Sequence, residues 1–106
     1  MEIGTDIALI SDFVGKDESF FRRFLQQSEY AAFASFKSEK RKSEYAAGRW
    51  AAKEAIFKAT QDASFLKYEI LSDAQGKPYV EGHPELRVSI SHDGGYAVAF
   101  VIKITE

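Results

Sequence analysis

The sequence predicts an α+β fold in which a small, mainly antiparallel sheet packs on one long helix. Three observations predict it: an alternating segment at 3–10, an alanine-rich helical pattern from 38 to about 60, and two later pairs of strand-like segments joined by glycine-containing turns. Strands joined by short turns run antiparallel, and the apolar face of such a sheet needs a covering layer. The long helix is the expected cover.

Composition restricts the class of protein. With 106 residues, 45% of them hydrophobic, one domain spanning 1–106 is expected. The 14 basic and 16 acidic residues argue against nucleic-acid binding through a broadly positive surface. The absence of cysteine excludes disulfides and thiolate metal sites. We find neither a basic leader nor an apolar run of the ~20 residues that a membrane helix needs, so we expect no membrane association and a cytoplasmic location.

The first strand carries a carboxylate on its small-residue side. Asp6 lies between Gly4 and Ala8, and the intervening positions are mostly apolar, so both faces of the strand need cover. The small neighbours leave room for an ion or ligand beside Asp6. A hydrogen bond from a neighbouring turn to this carboxylate is the alternative.

Two short helices are predicted between 17 and 36 from the spacing of the phenylalanines. The break between them is expected near Ser28 and Glu29, where the serine would cap the second helix. Arg22 and Arg23 lie on the polar face of the first helix. They are either solvated charges or residues that dock a partner.

The longest helix is predicted to begin after Ser38 and to end near Thr60. At ~100° per residue, Glu54 shares one apolar side with Trp50 and Phe57, which places a carboxylate in the packing stripe. An ordinary surface pair of Glu54 with Lys58 is the alternative, worth only ~0.2–0.5 kcal/mol.

Two hairpins are predicted in the last third of the chain. A strand from Tyr68 turns through 73–78 into a second strand, and a strand from Leu86 returns at 96–104 after a turn near 91–95. His92 lies beside that turn, where its ring can donate to a phosphate or make a structural hydrogen bond. The last strand is apolar on both faces, so a second copy of the chain could cover one of them.

Three sequence blocks resemble one known family, the holo-acyl-carrier-protein synthases, which are the small bacterial type of 4'-phosphopantetheinyl transferase. Their order and spacing across a short chain carry the resemblance. The blocks are Gly4-Thr5-Asp6-Ile7, then Ala47-Gly48-Arg49-Trp50-Ala51-Ala52-Lys53-Glu54-Ala55 with Lys58, then Ser89-Ile90-Ser91-His92 with Tyr96-Ala97-Val98-Ala99, and Gly76-Lys77-Pro78 also matches.

The resemblance implies transfer of phosphopantetheine from coenzyme A to a serine of apo acyl carrier protein, with release of adenosine 3',5'-bisphosphate, as in fatty acid biosynthesis. It also implies that Asp6 and Glu54 hold Mg²⁺. Either Glu54 or a metal-bound water takes the serine proton. By the same resemblance, Lys58 offsets charge on the pyrophosphate or protonates the leaving group.

The coenzyme site implied by the resemblance draws on three parts of the chain. Arg41, Arg49 and His92 match positions around the nucleotide phosphates, with Ser91 in the same block as His92. Gly76, Lys77 and Pro78 match the hairpin that lies against the adenine. The family also implies a homotrimer with its sites at the subunit boundaries, where one subunit supplies the metal helix and its neighbour supplies His92.

Two departures from the family pattern stand out. The connection after the long helix, Thr60-Gln61-Asp62-Ala63-Ser64, is shorter than usual and lacks its glycines. Asp12 stands where many relatives carry an arginine that contacts the acidic carrier, so docking is expected to depend on Arg22 and Arg23. Asp12 is also the main support for an alternative, a non-catalytic oligomeric module that binds a nucleotide or an acidic helical protein.

Overall fold

The computed structural model describes residues 1–105. The elements in chain order are β1 (Glu2–Leu9), a 3-10 turn (Ile10–Phe13), α1 (Glu18–Arg22), α2 (Gln27–Ser35), α3 (Glu39–Thr60), a second 3-10 turn (Phe65–Lys67), β2 (Ile70–Ser72), β3 (Pro78–Val80), β4 (Leu86–Asp93) and β5 (Tyr96–Lys103). The predicted α+β class, with an antiparallel sheet on one long helix, is confirmed.

The strands pair as two antiparallel units within residues 1–105. β5 lies between β1 and β4, while β2 and β3 form a separate hairpin. The β4–β5 turn consists of Gly94 and Gly95, both with positive φ (57° and 86°). Glycine adopts such angles without a Cβ clash, and two positive-φ residues are typical of the tight turns that join twisted strands.

Helix α3 packs directly on one face of the three-stranded sheet. Its small side chains face Ala97, Ala99 and Val101 of β5, all fully buried. The closest approach is at Gly4, where a Cβ would lie 2.0 Å from the carbonyl oxygen of Ala55. The missing side chain therefore lets β1 approach α3, which brings Asp6 close to the helix.

Local capping determines where the helices begin, and it corrects one prediction. The Ser38 side chain accepts a hydrogen bond from the Arg41 amide at 3.0 Å, so the predicted start of α3 is confirmed. The predicted cap at Ser28 is wrong, because α2 begins one residue after Gln26. Glu29, the third residue of that helix, accepts from the Gln26 amide at 2.7 Å and forms a capping box.

The packing stripe of α3 lies about one residue from its predicted position. Glu54 is only partly buried, at the edge of the stripe, whereas its neighbour Lys53 is completely buried. Several strand limits also differ: β1 ends at Leu9, β2 begins at Ile70, β4 continues to Asp93 and so shortens the turn predicted near 91–95, and β5 ends at Lys103. The Lys53 ammonium donates hydrogen bonds to Phe24, Glu29 and Phe65, and a helical wheel of α3 contains none of these partners.

The second face of the sheet is apolar and exposed in the single chain. Ile3 and Ile7 of β1 are each 61% exposed, and Val98 and Phe100 of β5 are 39% and 42% exposed. A contiguous apolar surface of this kind is typical of an interface. Within residues 1–105, no helix is both long and apolar enough to span a lipid bilayer.

Candidate functional site

Asp6, Glu54 and Lys58 meet where β1 crosses α3. Asp6 is partly buried, and Lys58 donates to its Oδ1 at 3.2 Å and to the Thr5 carbonyl at 2.9 Å. The ion pair that Lys58 makes among the described residues is thus with Asp6, and not the ordinary pair with Glu54 on one helix. The alternative for Asp6 was a hydrogen bond from a neighbouring turn. In the structure the donor to Asp6 is Lys58 instead.

The two carboxylates repel each other. Partial burial is the main cause that raises the pKa of Glu54, and the charge of Asp6 raises it further, while Lys58 opposes both. A positive ion beside the two groups would relieve this repulsion. Lys58, which pairs with Asp6, supplies one such charge in the structure.

The donor chemistry of this pair fits Mg²⁺. Among residues 1–105 there is no cluster of three or more His, Cys, Asp or Glu side chains that could hold a metal without other ligands. Mg²⁺ is commonly held by one or two carboxylates, with water and substrate phosphate oxygens completing the octahedron. Asp6 and Glu54 are two carboxylates of the kind that such a site uses.

A cavity of about 360 Å³ opens between α2, α3, the β2–β3 hairpin and the end of β4. This volume is within the usual range for small-molecule sites. Five of the residues predicted to bind the coenzyme line it: Arg41, Arg49, Gly76, Pro78 and His92. Two others do not. Lys77 lines a different hollow on the outer side of the sheet, and Ser91 is exposed on β4.

Arg49 is the most constrained charged group of this cavity. It is 8% exposed, its guanidinium lies 4.5 Å from the ring centroid of Tyr45, and its Nη2 donates to the Ser72 hydroxyl at 3.3 Å. Its buried Nε has no hydrogen-bond acceptor among the described residues. A buried donor without an acceptor is costly.

Arg41 and His92 line the same cavity with fewer constraints. The Arg41 guanidinium lies over the Phe36 ring, 4.5 Å from its centroid, and the side chain is exposed. The His92 Nδ1 lies 3.9 Å from Glu44 Oε2, which is too long for a hydrogen bond. This distance does not support the structural alternative for His92, and its half-exposed ring is free to donate to a ligand.

The two arginines of α1 have different surroundings. Arg22 pairs with Glu18 at 2.5 Å and lies over the Tyr30 ring. Arg23 lies over Phe20 and lines an aromatic groove of about 610 Å³. The groove residues are Asp12, Phe13, Lys16, Phe20, Arg23, Phe24, Trp50 and Phe65. Arg23 and Lys16 thus place positive charge at an apolar depression, beside the negative charge of Asp12.

Sequence reasoning missed two features of this region. One is the groove, whose aromatic residues come from four separate segments. The other is a buried ion pair between Lys53 and Glu29, with Nζ and Oε1 2.6 Å apart. The capping-box spacing from Gln26 to Glu29 was a signal for that glutamate, whereas Lys53 resembles any helical lysine until the packing is known.

Similarity to known proteins extends over nearly the whole chain. The model of the 4'-phosphopantetheinyl transferase superfamily matches residues 2–101. A holo-(acyl-carrier-protein) synthase from Halalkalibacterium halodurans is 40% identical over 114 residues, covering 96% of this chain and 95% of that protein. One from Bacillus subtilis is 38% identical over 107 residues, covering 92% and 88%.

Solved structures show the same similarity in three dimensions. A holo-(acyl-carrier-protein) synthase from Bacillus anthracis, in complex with CoA (3',5'-ADP), matches with a TM-score of 0.85 at 34% identity, covering 98% of this chain and 96% of that one. The Helicobacter pylori synthase in complex with coenzyme A matches with a TM-score of 0.78 at 32% identity, covering 94% and 97%.

Proposed function

The chain belongs to the 4'-phosphopantetheinyl transferase superfamily and is an enzyme of that class, and from this premise we propose that it transfers 4'-phosphopantetheine from coenzyme A to a serine of apo acyl carrier protein. One observation carries the proposal: five coenzyme-binding candidates, Arg49 among them, converge on one cavity. Adenosine 3',5'-bisphosphate is then the second product.

The cavity supports binding of the nucleotide end of coenzyme A. Arg41, Arg49 and His92 offer donors to phosphate oxygens, and Arg guanidinium groups suit phosphate because they donate two parallel bonds. Gly76 and Pro78 form the opposite wall, on the β2–β3 hairpin. The planar adenine base can lie against this part of the hairpin, because Gly76 has no side chain and the Pro78 ring is small. This assignment does not include Lys77 or Ser91 in direct contact with the nucleotide.

The carboxylates on β1 and α3 act at the reacting phosphate. Asp6 and Glu54 would hold Mg²⁺, which when bound supplies positive charge beside the leaving phosphate. The Glu54 carboxylate is also the candidate to accept the proton of the serine hydroxyl. Lys58 Nζ, at 3.2 Å from Asp6, is available to neutralise charge on the departing pyrophosphate oxygen.

The aromatic groove beside α1 is the proposed contact for the carrier protein. Arg23 and Lys16 attract an acidic helix, and the apolar floor accepts a side chain from it. Arg22 contributes positive charge from the same helix, although Glu18 already pairs with it. Asp12 weakens this attraction, so Arg23 is expected to be the more important of the two arginines.

Assembly as a homotrimer is part of the proposal. The exposed apolar face of β1 and β5 supports it, because a second copy would bury Ile3, Ile7 and Phe100. Sites at the subunit boundaries would follow if β4 and β5 of one copy approach α3 of another. A cytoplasmic location is also part of the proposal.

The experiment is transfer with purified components. The chain is incubated with coenzyme A, Mg²⁺ and apo acyl carrier protein, and the mass of the carrier is followed. We expect the mass increase of one phosphopantetheine group on a single serine. Coenzyme binding without any mass increase would favour the non-catalytic module instead.

A matched variant tests the role of the carboxylate in that experiment. Glu54→Gln removes a partly buried negative charge that Asp6 repels, so its thermal stability should equal or exceed that of the wild type. Transfer should fall by about a hundredfold or more, as expected when a general base is lost. Wild-type rates in this variant would remove Glu54 from the mechanism.

A further inference from the structure

Lys53 and Glu29 form an ion pair in the protein interior. Lys53 is 0% and Glu29 is 1% exposed. The ammonium group has three acceptors: Glu29 Oε1 at 2.6 Å, the Phe24 carbonyl at 2.7 Å and the Phe65 carbonyl at 3.0 Å. An ammonium has three N–H donors, so each one has a partner.

Both oxygens of the carboxylate are also hydrogen-bonded. Glu29 Oε1 accepts from the Gln26 amide at 2.7 Å, and Oε2 accepts from the Ile70 amide at 2.9 Å. One ion pair therefore joins α3 to the end of α1, the start of α2, the 3-10 turn at 65–67 and the first residue of β2.

The elements joined by this pair are walls of the cavity. Ser28 and Ala32 of α2, residues 70–72 of β2, and Arg49 of α3 all line it, whereas Lys53 and Glu29 do not. The bond from Arg49 to the Ser72 hydroxyl crosses from α3 to β2. The spacing of those two walls thus depends on how Lys53 and Glu29 hold them.

Stability alone does not account for such a pair. Burial lowers the pKa of Lys53, against the opposing effect of Glu29, because a charge in the interior loses its hydration. Buried ion pairs can often be replaced by apolar side chains of similar volume without loss of stability. The other role of a buried ion pair is to fix the relative positions of the elements that it joins.

We propose that Lys53 and Glu29 are positioning residues that fix α2 and β2 against α3, at the spacing in which Arg49 and Ser72 receive the phosphates of the coenzyme. The inference rests on the function proposed above. It concerns affinity for the nucleotide end of the substrate, and not the chemical step.

The test uses the double variant Glu29→Leu with Lys53→Met, which removes both charges and keeps apolar bulk. We expect it to fold, and to bind adenosine 3',5'-bisphosphate about tenfold more weakly in isothermal titration calorimetry. The KM for coenzyme A should rise by a similar factor, while kcat at saturating coenzyme stays within about threefold of the wild type. If the pair served only the stability of the fold, its loss would not raise KM while leaving kcat unchanged.

A second ion pair provides the matched control. Lys67 and Asp62 lie 2.8 Å apart, outside the cavity. The double variant Asp62→Asn with Lys67→Met should bind the bisphosphate like the wild type. Equal weakening in both double variants would overturn the proposal, because loss of any ion pair would then suffice.

Hydrogen exchange gives a readout that needs no ligand or activity. The amides of β2 and β3 other than Ile70 should exchange faster in the Glu29→Leu, Lys53→Met variant. Unchanged exchange, or unchanged affinity for the bisphosphate, overturns the proposal. If that variant does not fold, Glu29→Gln with Lys53→Met is measured by the same criteria. A wild type without transfer activity would defeat the proposed function, while the exchange result would still decide whether the pair positions β2.

Discussion

Replacing Gly4 by alanine should force β1 away from α3 and thereby damage both the fold and the carboxylate site. The added Cβ would lie 2.0 Å from the Ala55 carbonyl oxygen and 3.0 Å from the amide nitrogen of Ala59. Both are backbone atoms of a rigid helix, so no side chain can rotate to relieve the overlap. The strand must move by more than 1 Å to restore van der Waals contact.

The magnitude follows from the position of the contact. Overpacking a core usually costs about 1–3 kcal/mol, and this contact should lie at or above the upper end because both partners are backbone. A loss of about 3 kcal/mol is a large fraction of the ~5–15 kcal/mol typical of a native protein. The same movement separates Asp6 from Glu54, so transfer at low Mg²⁺ should fall more than transfer at high Mg²⁺.

The assay is urea unfolding followed by the fluorescence of Trp50, the single tryptophan of the chain. Gly48→Ala is the control, since its Cβ would meet a side-chain atom, the Cγ2 methyl of Ile90 at 3.0 Å, and not the backbone of another element. Alanine is also favoured over glycine in a helix by about 1 kcal/mol, which offsets that contact. A Gly4→Ala variant within about 1 kcal/mol of the wild type would refute the reasoning.

Three further predictions concern single residues. Arg49→Met should weaken binding of adenosine 3',5'-bisphosphate by about tenfold or more, since a charged hydrogen bond contributes ~1.5–3 kcal/mol; calorimetry showing wild-type affinity would contradict this. Lys67, Ser64 and Tyr68 donate to Asp62 and hold its pKa well below the usual range. Its contribution to stability is therefore complete above the unfolded pKa of about 4 and is lost as the pH falls toward the folded pKa, so Asp62→Asn should lower Tm at pH 7 and less so at pH 3. Gln61 ends α3 with φ 64°, and Gln61→Gly should raise stability by up to ~1 kcal/mol in urea unfolding; a clear loss would mean that its side-chain bond to the Lys58 carbonyl matters more.

Local signals in the sequence predicted much of the fold. The Ser38 cap, the glycine turn at 94–95 and the alternation of β5 each depend on residues close together in the chain, and each is confirmed. The wrong cap at Ser28 has a different cause. Glu29 competes for the start of α2 because it also binds Lys53 and Ile70, which are 24 and 41 positions away.

The sequence predicted those site residues whose chemistry is evident from the residue type and its motif. Asp6, Glu54, Arg49 and His92 were identified from the motifs that contain them, and the structure brings Asp6 close to Lys58 and brings Arg49 and His92 to one cavity. The aromatic groove and the buried pair were not predicted, because both exist only after distant segments have packed. A pattern along one helix does not report what other elements place against it.

Helix α3 supplies Arg49 to the cavity and Glu54 to the carboxylate pair, five positions apart on one rigid element. At 1.5 Å per residue, the axial separation of these two side chains is about 7.5 Å. Five residues also turn the two side chains by about 140° relative to each other about the helix axis, so α3 presents the arginine and the carboxylate on different sides. A one-residue insertion between these positions would turn one group by about 100° relative to the other, an error that no neighbouring loop can absorb. Natural length variation should therefore collect outside this stretch.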